Sequence, residues 1–209
     1  AEAVILFLGL TPEIEGEEMP VVLEGFDKGD RSEIKLPATQ VKLMKEVQAL
    51  GKPTILVLMN GSAIAVNWAD KNIPAILEAW YPGEFGGKAI ADVLFGDYNP
   101  SGRLPVTFYK SVNDLPDFKS YAMKNRTYRY FEGAPLYPFG HGLSYTNFTY
   151  SNVSIPESIA INKNIPITVE VTNAGDLDGD EVVQLYLKLD KKHEDTPTRS
   201  LVGFKRVHL

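Results

Sequence analysis

The sequence predicts an α/β domain over residues 1–147, built on a parallel, doubly wound sheet, and an incomplete antiparallel β-sandwich over residues 148–209. Three observations predict it. Continuous apolar runs at 4–9 and 53–59, bounded by Gly and Pro, are the mark of strands buried on both faces. Between them, apolar residues recur at helical spacing. Beyond Gly142 the pattern changes to strict alternation broken by turn residues, the signature of half-buried antiparallel strands.

Taken in order, Val4, Ile5, Leu6, Phe7 and Leu8 form the first strand, and an acidic loop, Glu13-Ile14-Glu15-Gly16-Glu17-Glu18-Met19, leaves its carboxyl end. Residues 21–33 read as a further loop, with Asp30 and Arg31 either a local ion pair or a pair that braces the acidic loop. Pro37 opens a helix at a first-turn position, Val41, Leu43, Met44, Val47 and Leu50 recur at helical spacing along it, and Gly51 closes it. Residues 53–59 are the second strand. The stretch 63–70 is ambiguous, with Trp68 read as an anchor against the sheet. Residues 73–80 are the third strand, and residues 88–95 a helix capped by Gly96. This strand, helix, strand, strand, helix order predicts parallel pairing. From Asp97 the texture turns Pro- and Gly-rich, with a short strand at 106–109 and a string of aromatics, Tyr121, Tyr128, Tyr130, Phe131, Tyr137 and Phe139, most of them read as rings covering the sheet. Alternating strands follow at 148–153, 165–172 and 182–189. About four strands fit there, where a sandwich of this type needs about seven.

Composition narrows the function. A formal net charge of −6 argues against nucleic acid, which requires a basic patch, and against an anionic membrane surface. No run approaches the roughly 20 apolar residues of a membrane span. With no cysteine, thiolate chemistry and Cys-ligated zinc are excluded. His141, His193 and His208 lack ligand-like spacing, so neither a metal nor a cofactor is expected. A neutral sugar remains compatible. The chain begins almost inside a strand, which leads to the expectation that it is a piece of a longer protein.

The ordered set of motifs resembles the C-terminal half of glycoside hydrolase family 3 enzymes, nearest to the β-xylosidase-like and β-glucosidase-like members. These motifs are Glu15-Gly16-Glu17-Glu18-Met19, Gly29-Asp30-Arg31 before Leu36-Pro37, Val57-Leu58-Met59-Asn60-Gly61, Ala79-Trp80-Tyr81-Pro82-Gly83, Gly86-Gly87 and Phe95-Gly96-Asp97-Tyr98-Asn99-Pro100-Ser101-Gly102-Arg103-Leu104-Pro105. Downstream stand Arg126-Thr127-Tyr128-Arg129-Tyr130 and Pro138-Phe139-Gly140-His141-Gly142-Leu143-Ser144-Tyr145. The resemblance implies a three-part enzyme: a catalytic barrel carrying the nucleophilic aspartate, an α/β sandwich, and a fibronectin type III-like module. This chain would supply most of the second and part of the third, and no barrel.

Retaining glycoside hydrolysis uses two carboxyl groups about 5–5.5 Å apart, one as nucleophile and one as acid and then base. The resemblance makes Glu17 the acid/base, because it follows a small residue, Gly16, as the family glutamate does; Glu15 is the second choice. Like-charged neighbours, Glu15 and Glu18, would help such an acid hold its proton. Glu18, Asp30 and Arg31 are expected to bind substrate or brace the loop, and Trp80-Tyr81-Pro82 to be architectural. The chain is then expected to act on oligosaccharides ending in xylose or glucose, to be inactive without its barrel, and to be secreted or periplasmic. A homodimer is compatible with it. Two other readings compete: a non-catalytic sugar-binding or scaffolding piece, and a nucleotide-binding domain. The last is poor because no Gly-rich phosphate loop follows the first strand.

Overall fold

A computed structural model of the chain describes residues 1–158, 160, 162–190, 193 and 196–209. Three strands, β1 (Val4–Gly9), β4 (Thr54–Met59) and β5 (Ala75–Glu78), form a parallel sheet in the order β1-β4-β5. Between β1 and β4 lie the two-residue strands β2 (Phe26–Asp27) and β3 (Asp30–Arg31), which pair as a hairpin, and the helix α1 (Ala38–Gln48). The short helix α2 (Asn67–Asn72) connects β4 to β5, and α3 (Gly86–Phe95) follows β5.

Residues in register across the three strands point the same way, so Leu6, Leu56 and Ile76 share one face with Leu8 and Leu58. That face meets Met44 of α1 and Ala69 of α2 in a core that also takes in Leu10, Leu36, Ile64 and Ile73. Leu56 is fully buried, and burial of a side chain of that size contributes about 2 kcal/mol. Gln40 ties α1 to the end of β1 by a two-way amide contact: its Nε2 donates to the Gly9 carbonyl at 2.8 Å, and its Oε1 accepts the Gly9 N–H at 2.9 Å.

The parallel sheet is as expected, but its strand order runs in one direction, so the reversal that defines a doubly wound sheet is not among the described strands. Several boundaries also shift. Pro37 is the residue before the first turn of α1 rather than within it. The ambiguous stretch 63–70 ends in α2, and Trp68 packs against the core as expected. Helix α3 begins at Gly86, and Gly96 closes it with φ +84°. The strand expected at 106–109 reduces to one bridge, Phe108 with Tyr137; Pro105 and the lack of a continuous partner prevent more.

The aromatics pack mainly on one another. Tyr128, in the short helix α4 (Thr127–Tyr130), stacks on Phe139 at 4.2 Å, Tyr137 stacks on His141 at 5.1 Å, and Phe131 meets Tyr109 edge-on. Tyr121, expected among the covering rings, is exposed instead. The remaining strands form two antiparallel pairs: β6 (Phe148–Ser154) with β7 (Thr168–Asn173), and β8 (Asp180–Leu187) with β9 (Ser200–His208). The second pair is tied to the segment after α3 by Arg103, whose Nη2 donates to Glu181 Oε2 at 2.7 Å with both side chains 12% exposed. Tyr150 donates to the other oxygen of Glu181 at 2.8 Å, and its phenol pKa is pushed up to about 12, chiefly by burial.

Candidate active site: the carboxyl ends of the sheet

In parallel sheets ligands collect beyond the carboxyl ends of the strands, and here those ends bring together three loops distant in sequence. The acidic loop leaves β1, the turn at Asn60-Gly61-Ser62 leaves β4, and Trp80-Tyr81 leaves β5. Glu15 is where they meet. One of its oxygens accepts the Ser62 hydroxyl; the other accepts the Tyr81 phenol at 2.8 Å and the Gly61 N–H at 3.3 Å. Arg31 Nη1 lies 3.8 Å from Glu15 Oε1, with side-chain exposures of 10% and 14%.

Arg31 thus pairs with Glu15 across the site, not with its neighbour Asp30, which is exposed. The same guanidinium nitrogen also donates to Ser62 Oγ at 2.7 Å and to the Ala63 carbonyl at 2.9 Å, and Nε donates to the Glu33 carbonyl at 3.2 Å. Burial pushes the Arg31 pKa down, and the adjoining Glu15 charge offsets part of that. Burial pushes the Tyr81 phenol up, and its hydrogen bond to Glu15 and the charge there add to the rise. Glu15 thus accepts three hydrogen bonds, from the turn after β4 and the loop after β5, and faces the Arg31 guanidinium.

Two residues on, Glu17 is exposed and makes no hydrogen bond or ion pair among the described residues. Glu18 is exposed too, at φ +51°, and faces Lys28 at 3.6 Å; an exposed pair of this kind contributes at most about 1 kcal/mol. Glu15 and Glu18, the like-charged neighbours of Glu17, each face a cation of their own.

The loop is shaped by two glycines and a backbone bond. Met19 N–H donates to the Lys28 carbonyl at 2.7 Å, laying the loop on the β2–β3 hairpin. Gly29, at φ +90°, passes so close to Gly16 that a Cβ there would sit 1.5 Å from the Gly16 carbonyl oxygen. Only glycine fits that crossing. Arg31 and the hairpin thus touch the loop through Glu15 and Met19, while among the described residues Asp30 pairs with Asp27 through the backbone.

Sequence reasoning missed the supports beneath. Asn60, fully buried, donates its Nδ2 to the Ser62 carbonyl at 2.8 Å and approaches Glu78 Oε2 at 3.3 Å. Glu78, the last residue of β5, accepts the Trp80 N–H at 3.0 Å, and Trp80 holds φ +55°, a strained value for an aromatic residue. Burial raises the Glu78 pKa from 4.5 to about 7, against the lowering by its bonds from Trp80 and Asn60. A single carboxylate inside the apolar run Ala75-Ile76-Leu77-Glu78-Ala79-Trp80 was the signal available. Among the described residues, no group of three or more His, Asp or Glu side chains is placed to hold a metal ion, and no helix is long and apolar enough to cross a membrane.

Residues 1–145 match the Glycosyl hydrolase family 3 C-terminal domain. The chain is 48% identical over 206 residues to a xylan 1,4-β-xylosidase of Xylanibacter ruminicola, covering 99% of this chain and 24% of that protein. A periplasmic β-glucosidase of Salmonella typhimurium is 42% identical over 196 residues, covering 88% of this chain and 26% of that protein. Among solved structures, a β-glucosidase from Erythrobacter marinus superposes with a TM-score of 0.83 at 37% identity, over 99% of this chain and 27% of that one. The Listeria innocua β-glucosidase in complex with isofagomine gives 0.81 at 30% identity, over 100% of this chain and 30% of that one. The chain spans about a quarter of the length of the curated relatives it matches. By its sequence over residues 1–145, and with superposable folds at 30–37% identity, this chain belongs to glycosyl hydrolase family 3 and carries the C-terminal domain of that family.

Proposed function

We propose that this chain is the part of a retaining, exo-acting β-glycosidase that contributes the general acid/base, Glu17, while the nucleophile belongs to a barrel elsewhere in the same protein. The observation that carries this reading is the contrast between two glutamates on one loop. Glu15 is bound from three sides and paired with Arg31, whereas Glu17 is exposed and uncommitted beyond the carboxyl end of β1. A group that must give and take a proton each cycle needs free oxygens and access to the substrate; a carboxylate that already accepts three hydrogen bonds and faces a guanidinium is poorly suited.

In the first half of the reaction the Glu17 carboxylic acid gives its proton to the glycosidic oxygen as the bond from that oxygen to the anomeric carbon breaks. The barrel carboxylate forms the glycosyl ester. In the second half the Glu17 carboxylate takes a proton from water as the water oxygen displaces the ester. Glu15, Arg31, Ser62 and Tyr81 hold the loop root so that Glu17 arrives in register. The names of the relatives support a substrate ending in β-linked xylose or glucose. Residues 148–209 fit part of a fibronectin type III-like sandwich, and the periplasmic Salmonella relative supports secretion or the periplasm.

The test compares Glu17→Gln and Glu15→Gln in the intact protein with xylobiose and cellobiose as substrates. Loss of a positioned acid should lower kcat by about 10²–10⁴-fold in Glu17→Gln, and Glu15→Gln should act mainly on stability and KM. Full activity in Glu17→Gln with collapse in Glu15→Gln would move the role to Glu15; full activity in both would favour a non-catalytic sugar-binding piece.

A further inference from the structure

Helix α1 begins beside the end of β1, held there by Gln40, and α2 begins shortly after the end of β4. Both helix starts, together with the loop that leads from β3, line a cavity of about 470 Å³, within the roughly 300–1,000 Å³ range of small-ligand sites. No residue of the acidic loop 13–19 lines it.

Its chemistry is divided in a telling way. Met44, 2% exposed, and the Trp68 indole give it an apolar wall. Glu24, Glu33, Lys35 and Asn67 give it a polar rim. Asn67 uses its Nδ2 on the Lys110 carbonyl at 2.7 Å, which leaves its Oδ1 buried without a donor. Glu33 Oε2 also lacks a hydrogen-bond donor, with Lys35 Nζ at 3.6 Å as its nearest cation. The Glu33 side chain, 42% exposed overall, belongs to the cavity lining. Buried polar atoms are almost always hydrogen-bonded, and the groups in deficit here are both acceptors.

A ligand that satisfies this cavity must present an apolar face to an indole and hydroxyl donors to carboxylate and amide oxygens. An anion would meet Glu24 and Glu33; a hydrocarbon would leave both acceptors unpaired. We infer that the cavity beside Trp68 binds a pyranose ring of an oligosaccharide, stacked on the indole and hydrogen-bonded to Glu33 and Asn67. The choice of a sugar rests in part on the glycosidase reading, and binding is read separately from turnover, so that the two can fail separately.

The intact protein is labelled with 5-fluorotryptophan, and the Trp68 resonance is assigned by its loss in Trp68→Phe. A thio-linked xylobiose, which the enzyme cannot cleave, is titrated in by 19F NMR. The expected result is a saturable shift of the Trp68 resonance, weakened at least about tenfold in Glu33→Ala and in Asn67→Ala, while hydrolysis of nitrophenyl β-xyloside is unchanged in both variants. An unmoved Trp68 resonance up to the solubility of the sugar overturns the inference, as it would if another part of the protein filled the cavity. A shift of equal affinity in both variants overturns it too.

Discussion

Replacing Glu78 by Gln should remove a loss of stability that the wild type undergoes as the pH rises towards 8. Glu78 closes β5 opposite Leu58 and receives only neutral donors, Trp80 N–H and Asn60 Nδ2, which do not balance its removal from water. Its folded pKa, about 7, lies above its ordinary 4.5. The stabilisation linked to its proton is therefore complete below about 4.5 and is lost as the pH rises through about 7. At 1.36 kcal/mol per unit, the interval corresponds to about 3 kcal/mol.

Gln keeps the acceptor for Trp80, never ionises, and can turn its amide towards the Asn60 Oδ1, which has no donor. The assay is urea unfolding of wild type and Glu78→Gln from about pH 4 to pH 8, followed by tryptophan fluorescence. Contributions from all other carboxylates cancel in the difference. Glu78→Gln should be close to wild type at the acid end and more stable by about 2–3 kcal/mol at pH 8. A difference that does not change with pH, or a variant less stable at pH 8, would refute the assignment of burial as the dominant influence on Glu78.

Further outcomes follow from other contacts. Arg103→Ala leaves Glu181 at 12% exposure without its cation, and should cost about 3–5 kcal/mol; hydrogen exchange should show the loosening concentrated in β8 and β9. Gly29→Ala drives a methyl group into the Gly16 carbonyl at a backbone conformation that itself costs about 1–2 kcal/mol for a residue with a Cβ. Since that crossing sets the loop, kcat of the intact protein should fall more than its melting temperature alone would explain.

The sheet and its two longer helices were readable because their patterns are local. Val4–Gly9 and residues 55–59 are apolar throughout, and Val41, Met44 and Val47 return every three residues. About four strands were expected beyond residue 147 but only three were placed; the fourth, β9, was not located because Lys205 and Arg206 interrupt its alternation. Helix α2 is six residues long and mostly polar, too short to show a period.

At the site, the sequence could mark an acidic loop but could not rank its glutamates by contact. What separates Glu15 from Glu17 is Ser62 and Tyr81, 47 and 66 residues away in sequence, brought near only because β4 and β5 end beside β1. The same long-range closure explains why the sequence leaves open whether Arg31 pairs with Asp30 or meets the acidic loop, while in space it faces Glu15. Glu78 carries a local signal, a lone carboxylate in an apolar strand, but its meaning depends on Asn60 and Trp80.

The central claim is that Glu17, not Glu15, moves the proton, and azide rescue tests it most directly. In the intact protein carrying Glu17→Ala, hydrolysis of 2,4-dinitrophenyl β-xyloside should stall at the glycosyl ester, because no base activates water. Azide needs no base, so it should restore turnover and release β-xylosyl azide, with no such product from wild type or from Glu15→Ala. Azide product from Glu15→Ala alone, with Glu17→Ala unresponsive, would contradict the account.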